Sequence, residues 1–234
     1  MESRDSVGSG AFALKSEIGS GGMGVVWKAL HRRQKTPIAV KFLEPESTRM
    51  AGAQKAFSQE VRTVASLSHP NICAVYDHGM TWAHDEGEDS AVVPSGPWLA
   101  MELASGCLTP FCGRLAWPKQ RAWLVQLLSA LAYTHARGII HRDIKPNNVL
   151  CFEDGVKLAD FGLAWLGEQN ILHGGTPRYM APEQAARQWR DFGPWTDLFA
   201  LGGTAWTMAC GVAPRDWRVP PATGRYPPMP RFQP

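Results

Sequence analysis

The residues best equipped for chemistry form one run, His141-Arg142-Asp143-Ile144-Lys145-Pro146-Asn147-Asn148-Val149-Leu150, followed by Asp160-Phe161-Gly162. A carboxylate such as Asp143, set beside an attacking hydroxyl, can orient it and accept its proton. The amide oxygen of Asn148 and the carboxylate of Asp160 are hard ligands that suit Mg2+. Lys145, lying between Asp143 and Asn148, can neutralise charge that builds on a phosphoryl group in transfer. The plain alternative is a polar surface loop.

A second candidate lies upstream. Gly19, Gly21 and Gly24 in Gly19-Ser20-Gly21-Gly22-Met23-Gly24 have the G-x-G-x-x-G spacing, and Val26 completes a G-x-V end. Glycine lets backbone amides approach phosphate oxygens without a Cβ in the way. Dinucleotide-binding folds share this spacing, but there a helix follows. Here Val25-Val26-Trp27 follows, which favours a strand and a hairpin over the phosphates. Lys41 is the one charged residue in the apolar strand Pro37-Ile38-Ala39-Val40-Lys41-Phe42-Leu43. Taken alone it reads as a strand-end lysine reaching for water.

In this order and at these separations the motifs resemble the catalytic domain of the protein kinase family, and look most like a bacterial, eukaryotic-like Ser/Thr protein kinase. The resemblance implies an α+β, bilobal fold: a small antiparallel β lobe over about 11–102, a mostly helical large lobe over 103–213, and the site between them. It implies ATP and Mg2+. Ile18, Gly19, Ser20, Gly21, Gly22, Met23 and Gly24 would cover the nucleotide, with Val26 and Ala39 against the adenine and Met101 behind it. Backbone groups of Glu102 and Ala104 would meet the adenine edge, so side-chain identity there should matter little. Lys41 would hold the α and β phosphates, paired with Glu60. Asp143 would be the base, Lys145 would contact the γ-phosphate, and Asn148 and Asp160 would bind metal. A lysine two residues after the Asp points to Ser or Thr as acceptor. Thr176, before Ala181-Pro182-Glu183, would shape the peptide site. His141 and Phe161 would belong to an apolar column, with Val64 and Val75 above. His141 reads as a satisfied core histidine and not a proton carrier.

These groups need supports. Ala11 to Ile18 reads as a strand leading into the glycine loop. A helix is expected from about Ala53 to Ser66, with Phe57, Val61 and Val64 on one face. Strands are expected near Cys73 to His78 and Trp98 to Glu102, joined by a solvated acidic loop. Leu124, Leu127, Leu128 and Leu131 predict a core helix over Pro118 to Arg137, with Gly138 as C-cap. Asp154-Gly155 marks a hairpin that delivers Asp160. A buried helix starts near Thr196, where Asp197 would accept hydrogen bonds from the catalytic-loop backbone.

Between Asp160 and Glu183 only Thr176 and Tyr179 carry a hydroxyl. No activating phosphosite is evident there, although Arg142 is a residue that in many relatives grips a phosphorylated loop. Glu168 could supply a fixed negative charge instead.

The chain has 234 residues, 44% of them hydrophobic, enough for one or two cores. A net charge of +3 argues against a dedicated nucleic-acid binder. The five scattered cysteines suit a reduced, cytoplasmic setting, and no signal core or comfortable membrane span is visible. Beyond Pro214 the chain is rich in Pro and Arg. The resemblance implies further helices there, one of which would give Glu183 a basic partner. Either Arg215 or Arg218 substitutes, or the large lobe is incomplete. The 214–234 segment could instead be a polyproline ligand for a partner domain. A protein Ser/Thr kinase acting on protein substrates is the leading reading. An inactive kinase-fold binding module is the alternative, and a small-molecule phosphotransferase fits less well.

Overall fold

The computed structural model describes residues 11–21, 24–43, 61–81, 96–161 and 177–214. Among these, the residues up to Ser68 together with Cys73–Ala104 form one compact unit; His69–Ile72 and those from Ser105 onward form a second. The first unit thus runs just past the boundary expected at Glu102. The fold class is α+β, with a sheet in the first unit and a helix-dominated second unit.

The first unit is built on a five-stranded antiparallel sheet in the order β1-β2-β3-β5-β4. Its strands are β1 (Phe12–Gly21), β2 (Gly24–His31), β3 (Pro37–Phe42), β4 (Val75–Thr81) and β5 (Gly96–Glu102). The period-2 alternation of strands divides the residues between two faces. Phe12, Ala29, Ile38, Val40, Phe42, Trp98 and Ala100 form a buried apolar cluster. Their alternates, including Val26, Ala39, Lys41, Leu99 and Met101, share the opposite face, where Val26 pairs with Lys41, Lys41 with Leu99, and Ala39 with Met101. A helical stretch is described at 61–65.

Two strand ends differ from expectation. β1 does not stop at Ile18 but runs through Gly21, which pairs with Gly24. Ile18 falls in a bulge between Glu17 and Gly19 and is half exposed. β4 begins at Val75, not Cys73. The N–H of Ala74 donates to the Glu102 Oε1 at 2.8 Å instead of entering the ladder, while the Ala74 carbonyl accepts the Glu102 N–H at 3.1 Å.

In the second unit, helix α1 (Trp117–His135) ends in a Schellman motif. The Gly138 N–H reaches the His135 carbonyl, the Ile139 N–H reaches the Thr134 carbonyl, and Gly138 has φ 71°. Its buried stripe is Gln120, Trp123, Leu127, Ala130, Leu131 and Thr134. The leucine face read from the sequence is therefore rotated: Leu128 is 45% exposed. Gln120 is tolerated inside because its amide donates to the Leu115 carbonyl.

A three-stranded sheet, β6 (Gly106–Cys107), β7 (Val149–Phe152) and β8 (Gly155–Leu158), packs on α1. β6 had no sequence signal, being two residues long. Gln126 of α1 accepts the Val156 N–H at 3.0 Å, satisfying the edge of β8. The short helix α2 (Pro182–Ala185) and the longer α3 (Pro194–Cys210) complete this unit. The helix expected to be buried is α3; it buries one face, and Trp195, Leu198 and Phe199 are 60%, 48% and 40% exposed. Among the described residues no helix is long and apolar enough to cross a membrane.

The glycine hairpin generates a prediction. Gly24 has φ +119°, and a Cβ there would overlap the Phe42 carbonyl oxygen. Gly24→Ala should therefore cost about 1–3 kcal/mol of stability, seen as a lower urea midpoint; an unchanged midpoint would refute this account of the turn.

Candidate active site

The catalytic-loop run lies in the second unit, and its geometry starts from the buried Asp197 in the first turn of α3. That carboxylate, fully excluded from solvent, accepts three hydrogen bonds of 2.8 Å. Two come from the backbone N–H groups of His141 and Arg142, the third from His135 Nε2 at the end of α1. A buried anion must be met by donors, so one side chain ties α3, α1 and the loop together. The placing of an acid at a helix N-terminus adds a favourable dipole interaction. Sequence reading found Asp197 but not His135, whose only signal is a polar residue closing an apolar helix.

His141 is wholly buried. Its Nε2 lies 2.9 Å from the Ala159 carbonyl, which can only accept, and its Nδ1 lies 3.3 Å from the Asp143 N–H, which can only donate. The ring therefore carries its hydrogen on Nε2. It packs against Phe161 at 4.4 Å between centroids. Structural support is the role these contacts describe.

Asp143 is met by two side chains. Its Oδ2 accepts from Lys145 Nζ at 2.8 Å and from Asn148 Nδ2 at 2.9 Å, while among the described residues Oδ1 accepts only from Lys145, at 3.1 Å. Oδ1 is the less engaged oxygen. Asn148 Nδ2 also donates to the Asp143 carbonyl at 2.8 Å. With both amide hydrogens directed at Asp143, Asn148 Oδ1 takes part in neither bond. Asn148 is itself buried and its carbonyl accepts the Ala159 N–H, one residue before Asp160. Asp160 is half-buried and adopts φ 63°, a conformation that non-glycine residues rarely hold.

In the first unit the sheet face opposite the apolar cluster carries Val26, Ala39, Lys41 and Met101. Lys41 is only 5% exposed. Gly19 and Gly21 would place an added Cβ in open space, and neither has positive φ. Among the described residues nothing crowds a side chain at either position, so the space beside these glycines is open. Ser20 is exposed beside them, and Ala104 is half-buried beyond β5. Gly22, Met23, Glu60 and Thr176 lie outside the described residues, as do Arg215 and Arg218.

Two expectations need correction. The Glu102 side chain is not idle: it holds the start of β4 through Ala74. Glu183 is not an orphaned buried carboxylate; it is partly exposed and its Oε1 accepts the Thr196 hydroxyl at 2.6 Å. Thr196 in turn accepts the Gly193 N–H, so a residue of the α3 cap is a hydrogen-bond partner of Glu183, while the expected basic partners Arg215 and Arg218 lie outside the described residues. Tyr179, near Thr176, is buried with its hydroxyl 3.0 Å from Thr207 Oγ1, and burial pushes its phenol above the ordinary value.

The chain matches the protein kinase domain over residues 12–218. It belongs to the protein kinase family. It is similar to the serine/threonine-protein kinase PknA of Mycobacterium tuberculosis, 35% identical over 216 residues, covering 88% of this chain and 48% of the relative. It is also similar to the serine/threonine-protein kinase Pkn1 of Myxococcus xanthus (34% identity, 88% of this chain and 29% of that protein). The probable serine/threonine-protein kinase PknB of Bifidobacterium longum is 32% identical over 88% of this chain and 31% of its own. The chain thus spans half or less of the length of these curated relatives.

Protein kinases use ATP and typically Mg2+. Among the described residues no group of three or more His, Cys, Asp or Glu could hold a metal by itself. One amide oxygen, Asn148 Oδ1, and one carboxylate, Asp160, are a suitable protein share.

Removing the Asp197 carboxylate would strand two N–H groups and His135. Asp197→Ala should lower the unfolding free energy by about 3–5 kcal/mol. Chemical denaturation checks this, and a loss below about 1 kcal/mol would contradict the central role given to the residue.

Proposed function

We propose that this chain transfers the γ-phosphoryl group of ATP to Ser or Thr hydroxyls of protein substrates. The observation that carries the proposal is the Asp143 carboxylate, fixed by Lys145 and Asn148 with Oδ1 left least engaged. The acceptor hydroxyl would hydrogen-bond to Asp143 Oδ1 and attack the γ-phosphorus. Its proton goes to Asp143, the bond from γ-phosphorus to the β–γ bridging oxygen breaks, and ADP leaves. Lys145 Nζ, already 3.1 Å from Oδ1, can turn to a γ-phosphate oxygen and meet the charge that grows there. Mg2+, held by Asn148 Oδ1 and Asp160, would neutralise phosphate charge.

The first unit supplies the nucleotide contacts. Gly19 and Gly21 give amides room to approach phosphates. Lys41 holds the α and β phosphates, with Glu60 as its partner. Val26, Ala39 and Met101 line the adenine, and backbone groups of Glu102 and Ala104 meet its edge. Thr176 contributes to the peptide site. Because positioning and electrostatics dominate phosphoryl transfer, the side chains need rigid support more than unusual reactivity.

Asp143→Asn should lower kcat by about 10²–10⁴-fold, the range for loss of a positioned base. Labelled ATP, Mg2+ and a generic protein substrate measure it, with phosphoamino-acid analysis showing Ser or Thr. Equal labelling by both proteins would remove Asp143 from its role and favour a binding module.

The kinase is also proposed to work without an activating phosphate on the segment 160–183, which holds no hydroxyl up to Gly175 and only those of Thr176 and Tyr179 beyond it. The buried, hydrogen-bonded Tyr179 is a poor acceptor as placed. Phosphatase treatment should leave activity unchanged. Mass spectrometry finding an activating phosphate at Thr176 or Tyr179 would refute this.

A further inference from the structure

We propose that Gln184 of α2 is a positioning residue for phosphoryl transfer, holding the peptide unit that carries Asp143. The inference rests on the kinase reading above.

Arg142 has φ 69°, in the left-handed region that a residue with a Cβ occupies at a cost. Such a backbone persists only where its surroundings over-determine it. Among the described residues its own side chain offers no hydrogen bond that would do so: the Arg142 Nε is buried without a partner, and its guanidinium lies 5.9 Å from the Phe192 ring. The hold is on the backbone. On one side the Arg142 N–H donates to Asp197 Oδ1 at 2.8 Å. On the other the Arg142 carbonyl accepts from Gln184 Nε2 at 2.8 Å.

That carbonyl belongs to the peptide plane shared with Asp143. The plane's N–H, on Asp143, points to His141 Nδ1. Gln184 therefore fixes the oxygen edge of the plane while His141 receives the nitrogen edge. Rotation of this plane would swing the Asp143 Cα, and with it the carboxylate that must meet the acceptor hydroxyl. The Lys145 and Asn148 bonds hold the head of Asp143; Gln184 holds its root.

Gln184 is itself fixed. Its Oε1 accepts the Ala181 N–H at 3.1 Å, so the side chain reaches back over the first turn of α2. The two partners set the amide's orientation. A flipped amide would oppose oxygen to the Arg142 carbonyl and NH2 to the Ala181 N–H. The requirement is specific: one acceptor for α2 and one donor for the catalytic loop. Glutamate satisfies the first and not the second.

Gln184→Ala and Gln184→Glu, each in the full chain, test this. Loss of the donor should lower kcat about tenfold in both, the scale of one hydrogen bond, with KM for ATP within about twofold of the parent. Gln184→Glu should be at least as impaired as Gln184→Ala although it retains the α2 cap. Hydrogen exchange across residues 139–150 should quicken in both variants while β1–β5 stays unchanged. If Gln184→Ala fails to fold, Gln184→Glu, which keeps the cap, carries the test. Gln184→Glu with parental kcat and parental exchange would overturn the proposal, as would a loss seen only as lower thermal stability. If the parent itself transfers no phosphate, the kinase reading fails, and the exchange measurement alone decides whether Gln184 holds the loop.

Discussion

The second unit depends on one buried anion. Asp197 has no exposure to solvent, and its two oxygens receive three donors from two segments: the catalytic-loop backbone at His141 and Arg142, and the end of α1 at His135. Charge inside a protein is tolerated only when such donors are in place. The constraint therefore works outward. The loop must lie against α3, α1 must end where its histidine reaches Asp197, and the loop backbone must bend so that consecutive N–H groups point the same way. The left-handed Arg142 is the visible cost of that bend.

Around this anchor the candidate catalytic groups are held in layers. Lys145 and Asn148 hold the Asp143 carboxylate, and His141 and Gln184 hold the peptide it hangs from. The hydrogen bonds from Asn148 Nδ2 to Asp143, and from the Ala159 N–H to the Asn148 carbonyl, carry the same order on toward Asp160. Little of this is chemistry in the narrow sense. It is placement, which is what the proposed phosphoryl transfer would ask of the protein. The sheet of the first unit follows a different rule. Alternation puts one set of side chains into an apolar cluster and leaves Val26, Ala39, Lys41 and Met101 on the other face. No special device beyond strand register is required.

Much of the candidate site was legible because its parts are local. Asp143, Lys145 and Asn148 sit within six consecutive residues, and a glycine run or an apolar strand with one lysine stands out in a linear reading. The hairpin after the catalytic loop and the Gly138 cap were readable for the same reason. Burial was less legible. Spacing identified α1 but not which way it faced, since Trp123 and Ala130 line its buried stripe and Leu128 does not. The expectation that Glu183 needs an arginine overlooked a hydroxyl: Thr196 lies thirteen residues away in sequence and 2.6 Å away in space.

The sequence by itself determined the family and the candidate reactive residues, because the motifs that mark them lie at short separations along the chain. Tertiary structure alone decided which ordinary residues hold them. Glu102 on Ala74, Gln184 on Arg142 and His135 on Asp197 each join segments distant in sequence, and no local pattern distinguishes such a residue from an exposed polar one. Those pairings exist because folding removes water from backbone groups that must then find partners, and the nearest donor or acceptor is set by packing.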